Sequence, residues 1–187
     1  MSDNDKALFY KYLDKSHAYF EYGSGGSTYQ ASIRENIAHV YSVESDITWA
    51  NTIRNQVNLR KVTLFMNDMG TLPHTWGNPG PNSKDEDKIA YSNYLRTLSK
   101  GEQSNIDLVL IDGRFRVACC LKCFDIIGSN CVIAFDDFLD RPQYHVVLDY
   151  YDIIEKTEDN RMVILKKKIG NITVPSEVIR NYELISA

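Results

Sequence analysis

The 187-residue chain lacks any apolar stretch long enough to cross a membrane. Its first residues, Met1 to Lys6, carry none of the hydrophobic run of a signal peptide. The expectation is a soluble, cytoplasmic protein with no membrane partner. A basic surplus is missing too. The 21 lysines and arginines face 25 acids, a formal charge of −4, which argues against a nucleic-acid partner held on a broad basic face. The run Lys166-Lys167-Lys168 reads as the exposed end of a strand. Cysteines number four. Cys119, Cys120 and Cys123 share one apolar helical stretch and Cys131 begins a strand, so they read as buried reduced thiols rather than a tetrahedral zinc set. Internal repeats and low-complexity segments are absent.

What is present is an ordinary globular composition, 43% hydrophobic and 25% charged. The length suits one domain over residues 1–187, either alone or as a module of a longer protein. Apolar strand-like runs alternate with helical stretches, which predicts an α/β sheet. A leading helix is expected over Asp3–Ser16. Strands are expected at His17–Tyr22, His39–Glu44, Val62–Met66, Ile106–Ile111 and Cys131–Phe135, with helices between them. Tyr151–Lys156 and Met162–Lys168, joined by Glu158-Asp159-Asn160, predict a terminal antiparallel hairpin.

The pattern is organised around Glu21-Tyr22-Gly23-Ser24-Gly25-Gly26-Ser27-Thr28. A buried strand runs into glycines that tolerate positive φ and let backbone N–H groups approach a ligand. Ser27 or Thr28 can then cap a helix over Tyr29–Glu35. Strand, glycine loop and helix form the nucleotide-cradling turn of a doubly wound sheet. The third glycine of a dinucleotide fingerprint is replaced by Thr28, and no P-loop lysine follows. Glu21 beside the loop repels a pyrophosphate and suits a cationic ligand with an amino-acid head.

Acids recur at the strand ends: Glu21, Glu44, Asp68, Asp112 and the pair Asp136-Asp137. Ligands of such sheets bind outside these carboxyl ends. Glu44 lies about 20 residues past the glycines, the spacing of a carboxylate that binds a ribose diol. Asp112, Asp136 and Asp137 end strands expected to be neighbours, about 5 Å apart. Crowded carboxylates call for a shared proton or a cation, and oxygen-only ligands suit a hard ion. Between strand three and the next helix, Gly70 to Asp87 forms a long loop with three of the five prolines and Trp76 at its middle. Trp49, Ile53 and Val57 share one face of a helix expected to start near Ile47 and run to Asn58, a spacing that favours core packing for Trp49 over the alternative of a place beside a bound adenine.

E-Y-G-S-G-G-S-T and V-Y-S-V-E-S-D resemble motifs I and II of the class I S-adenosylmethionine-dependent methyltransferases, and the likeness runs from about His17 to Lys168. Asp112 with Asp136-Asp137 resembles the metal site of the Mg²⁺-dependent sugar and small-molecule O-methyltransferases. The resemblance implies a Rossmann-like, mostly parallel seven-stranded sheet with helices on both faces and a C-terminal antiparallel hairpin. It implies that S-adenosylmethionine is held by Glu21, Gly23, Ser24, Gly25, Ser27 and Thr28. Glu44 and Ser45 would take the ribose, Asn67 or Asp68 the adenine side, and Asp112 the reacting end. Asp112, Asp136 and Asp137 would hold Mg²⁺ or Mn²⁺, lowering the pKa of an acceptor hydroxyl.

Arg114 departs from the sugar enzymes, some of which carry a second acid two residues after the strand-four Asp. His145 is therefore the candidate base, alongside Asp112 and Asp137 as catalytic residues. Trp76, Arg114, Arg116 and Arg141 are assigned to the acceptor, with neutralisation of the acidic cluster as the alternative role of the three arginines. The implied activity is O-methylation of a sugar or glycan. A catechol-like acceptor and a non-catalytic binding domain are the alternatives.

Overall fold

The computed structural model describes residues 1–186. It opens with α1 (Asp3–Leu13), β1 (Ala18–Tyr22), α2 (Gly26–Ser32), β2 (His39–Glu44), α3 (Ile47–Arg54) and β3 (Val62–Met66). Three short helices follow the long loop: α4 (Asp85–Tyr91), α5 (Tyr94–Thr97) and α6 (Lys100–Asn105). Then come β4 (Leu108–Ile111), α7 (Arg116–Cys123), β5 (Val132–Phe135), a 3₁₀ helix (Pro142–Asp149), β6 (Tyr151–Lys156), β7 (Val163–Lys167) and α8 (Ser176–Arg180). The seven strands form one sheet in the order β3-β2-β1-β4-β5-β7-β6. β1 to β5 pair in parallel, and β7 is antiparallel to both β5 and β6.

The strands read as continuous apolar runs because both sheet faces are covered. Alternate side chains serve opposite cores. Phe20 and Tyr22 of β1, Val109 and Ile111 of β4, and Ile133 and Phe135 of β5 pack into one core with α7. Tyr19, Leu108, Leu110 and Ala134 face the other core with Leu8, Phe9 and Leu13 of α1. The four cysteines are free and buried.

The sheet order places the functional end. β1 and β4 are neighbours, and the chain leaves them toward opposite edges, which is the topological switch point where ligands sit. Tyr22 pairs with Val43 and with Ile111, and Ile111 pairs with Phe135. The next residues, Gly23, Glu44, Asp112 and Asp136, therefore come out along one edge.

Some helices differ from expectation for local reasons. α2 begins at Gly26, three residues early, with Gly25 before it. The helical stretch after the long loop is split into α4 and α5 at Ser92-Asn93, where Ser92 Oγ and Asn93 Nδ2 both donate to the Ile89 carbonyl at 3.1 Å. The segment after Asp140 is 3₁₀ rather than α. It starts on Pro142 and carries i→i−3 bonds, Tyr144 N to Arg141 O at 2.9 Å and Tyr150 N to Val147 O at 3.0 Å.

Candidate cofactor and acceptor site

A cavity of about 870 Å³ opens at this edge. Its floor is side-chain poor because two glycines meet there. Gly23 has φ 96°, and a Cβ on it would stand 2.8 Å from the Gly113 Cα and N. A Cβ on Gly113 would in turn meet the Gly23 N at 2.9 Å and strike the Tyr91 hydroxyl. Gly23 is thus required by a backbone neighbour as well as by its φ.

Glu21 lies beneath the loop, fully buried and off the cavity wall. Its carboxylate accepts from Tyr19 Oη at 2.7 Å, Ser27 Oγ at 2.6 Å and Thr28 Oγ1. Burial pushes its pKa up to about 7, against the pull of those hydroxyl donors. Thr28 Oγ1 also accepts from Gly25 N at 2.8 Å. Ser27 and Thr28 therefore hold the loop to Glu21, and Ser24 Oγ meets Ser42 Oγ at 2.6 Å. Gly23, Ser24, Gly25 and Ser27 line the cavity.

Glu44 and Ser45 stand on the next wall. Glu44 Oε2 accepts from Ser24 N at 3.0 Å, and Oε1 from Ser45 N at 2.7 Å and Asp46 N at 2.9 Å. Burial raises its pKa while these backbone donors oppose the rise. Oε2, with one backbone donor, keeps acceptor capacity for a hydroxyl. Trp49 is not in the core. It is 46% exposed, lines the cavity and donates Nε1 to Ser24 O at 2.8 Å.

The opposite wall is ionic. Asp112 and Asp136 follow the paired residues Ile111 and Phe135, and burial raises the pKa of both. Burial, then the charges of Asp112 and Asp137, push Asp136 up to about 7. Asp137 turns away in the left-handed region, φ 55°. Its Oδ1 meets Arg161 Nη2 at 2.6 Å, and its Oδ2 meets Arg141 Nη2 at 3.1 Å and Arg116 Nη1 at 3.5 Å. Arg116 is buried and donates to Gly113 O at 3.0 Å and Asp136 O at 2.7 Å, so it braces backbone. Arg114, Arg141 and Arg161 reach the cavity.

The long loop closes one side. His74, Trp76 and Gly77 line the cavity, and Trp76 is 87% exposed. His74, Trp76 and Asp137 all carry positive φ, as does Phe115 between the two wall arginines. Such strain in non-glycine residues gathers at functional sites.

No protein-family model matches this sequence, and no curated protein matches it significantly. Solved structures do. A methyltransferase-like protein of Silicibacter pomeroyi superposes with a TM-score of 0.82 at 25% identity, over 100% of this chain and 96% of that one. The class I methyltransferase fold is the fold of this chain. Human methyltransferase-like protein 13, solved with S-adenosylhomocysteine, gives a TM-score of 0.57 at 10% identity over 98% and 90% of the two chains. A precorrin-6y C5,15-methyltransferase of Geobacter metallireducens gives 0.53 at 17% over 88% and 87%.

Within this methyltransferase fold the carboxylate cage for Mg²⁺ or Mn²⁺ is not assembled. Among the described residues no group of three or more His, Cys, Asp or Glu is placed to hold an ion. The reason is geometric. The left-handed backbone at Asp137 aims its carboxylate at three guanidinium groups, and one of these, Arg116, also meets Asp112 Oδ1 at 3.3 Å. Arginine charge and a retained proton relieve the crowding that a metal would otherwise relieve.

His145 lies off the cavity, its ring 5.3 Å from Phe138 and its Nε2 buried without a partner. Asn67 and Asp68 also lie off the wall. Asn67 Nδ2 donates to Asp87 O at 2.9 Å, and Asp68 Oδ1 accepts from Gly70 N at 2.8 Å in an exposed turn. Sequence reasoning missed Gly113, Gly77 and Arg161. Gly113 had a signal, since Asp112-Gly113 ends an apolar strand as Tyr22-Gly23 does. Arg161 had none, because the hairpin turn brings it back from 24 residues beyond Asp137. Among the described residues, no helix is long and apolar enough to cross a membrane.

Proposed function

We propose that this protein is an S-adenosylmethionine-dependent O-methyltransferase acting on a small polar acceptor, with a sugar hydroxyl as the best fit. One observation carries the reading. The Gly23–Gly113 contact leaves a bare floor at the sheet's switch point, and the Glu44 carboxylate stands beside it. That combination suits a nucleoside whose diol needs an acceptor and whose other end needs room.

When bound, S-adenosylmethionine supplies an activated methyl group on a sulfonium, open to in-line displacement by a nucleophilic oxygen. The chain supplies the rest. Glu44 accepts from the ribose diol. Ser24 and Gly25 offer backbone near the floor. An alcohol needs its proton removed as the new O–C bond forms. The Asp112–Asp136 pair takes that proton, since both carboxyls face the cavity and Asp136 titrates near neutrality. No step is routed through a metal. Arg141 offers a polar surface to a hydroxyl-rich ring. The formal charge of −4 supports a small acceptor over a nucleic acid.

Calorimetry with S-adenosylmethionine and S-adenosylhomocysteine tests the cofactor. Absence of binding by both at millimolar concentration would end the reading. Methyl-group incorporation across a panel of sugars and phenols tests the acceptor. Turnover of phenols alone would overturn the sugar assignment.

A further inference from the structure

The loop between β3 and α4 is built as a strap. Gly80 N donates to Met69 O at 2.9 Å, which closes the loop at its base. Within it, Thr75 N donates to Leu72 O at 3.3 Å, and Asn78 N and Nδ2 donate to Thr75 O at 3.1 and 2.9 Å. The tip therefore moves as one compact piece.

The tip is fastened at two points on either side of the glycine floor. On the β2 side, Ser45 Oγ donates to Gly77 O at 3.0 Å. Gly77 has φ 75°, and a Cβ there would stand 2.7 Å from that hydroxyl and 3.7 Å from Glu44 Oε1. On the β4 side, Arg114 donates Nε to Trp76 O at 3.0 Å and Nη1 to Asn78 Oδ1 at 3.2 Å. β2 and β4 flank β1 in the sheet, so the strap crosses above the loop that β1 carries.

Arg114 has no acidic partner among the described residues. Burial, and then the charge of Arg116, lower its pKa, and the acceptors it meets are both neutral. A surface loop of this length does not need such an anchor to pack. The strain at His74 and Trp76 sits at the same tip, and Trp76 holds an almost bare indole over the cavity.

We propose that Arg114 is a positioning residue: its two-pronged guanidinium, with Ser45, straps the Trp76–Asn78 tip over the nucleoside end of the cofactor and sets how fast that ligand leaves. The inference rests on the methyltransferase reading and gives Arg114 a task other than touching the acceptor. Lysine cannot replace it, because a single ammonium does not present the planar fork that meets both acceptors.

The test needs no acceptor. Trp49 and Trp76 are the chain's two tryptophans, and both line the cavity. Stopped-flow fluorescence with S-adenosylhomocysteine follows binding and release directly. Arg114→Ala and Arg114→Lys are expected to speed dissociation about tenfold or more with little change in association, the split expected when a cover is unfastened. Gly77→Ala, which pushes the tip off Ser45, is expected to do the same. In a Trp49→Phe background, saturating ligand should shield Trp76 from acrylamide, and adding Arg114→Ala should remove that shielding. A purely structural Arg114 would lower the melting temperature and leave the dissociation rate as in wild type. That result overturns this proposal alone, whereas no binding to wild-type protein overturns the cofactor reading and this proposal with it.

Discussion

Gly23 and Gly113 lie backbone to backbone, each within 3 Å of where the other's Cβ would stand. The crossovers that leave β1 and β4 are pinned at that contact. Gly23→Ala adds a clash and a left-handed alanine, each costing about 1–3 kcal/mol. The expected outcome is a melting temperature lower by several degrees and cofactor affinity reduced below detection. Calorimetry and a thermal melt on the same sample check it, and wild-type affinity would mean the floor is not where the nucleoside lies.

Glu44 both faces the cavity and holds Ser24 N. Glu44→Ala is expected to weaken S-adenosylhomocysteine by about 10- to 100-fold, the worth of one or two hydrogen bonds to a charged group. Glu44→Gln keeps the shape and loses the charge, so a smaller loss is expected. Equal affinity for all three proteins would remove the ribose assignment.

The Asp112–Asp136 pair gives activity a pH dependence. Asp136 acts as base only when ionised, so turnover is expected to rise with pH through about 7 and then level off. Asp136→Asn is expected to lower turnover by about 10²- to 10⁴-fold with cofactor affinity within a few fold. A pH–rate profile in both proteins checks this, and a flat profile in the wild type contradicts the base.

Stability is expected to move the other way. Glu21 and Asp136, ordinarily at 4.5 and 3.8, are both raised to about 7 in the fold. Between about pH 4 and 7 the native state then binds more protons than the unfolded chain, so stability falls as pH rises through that window. Urea unfolding at pH 5 and pH 8 should show the higher midpoint at pH 5. The reverse order would place these carboxyls as ionised below neutrality.

Removing divalent ions is expected to have no effect. Three guanidinium groups converge on Asp137, and one of them, Arg116, also pairs with Asp112 at 3.3 Å. Turnover in excess EDTA should match turnover without it. A loss restored by Mg²⁺ would show that the wall rearranges around an ion.

The sheet was legible because both its faces are buried. Runs such as Ile106–Ile111 have no other use in a chain this short, and the acids that end them mark the ligand side. The glycine loop and Glu44 were legible from spacing. Asp137 was not, because nothing in Asp136-Asp137-Phe138 announces a left-handed backbone that points a carboxylate away from its neighbour. Trp49 was misjudged because helical spacing says which residues share a face, not what covers it. That face meets the loop carbonyl of Ser24 instead of the core.

The wall around Asp137 draws on Arg116, Arg141 and Arg161, and the last arrives only with the β6–β7 hairpin. The floor and Glu44 are complete by residue 113. The ionic wall of the cavity thus depends on the strand pair that docks on β5, whereas the glycine floor does not, so a change that loosens the hairpin is expected to disturb one side of the cleft and spare the other.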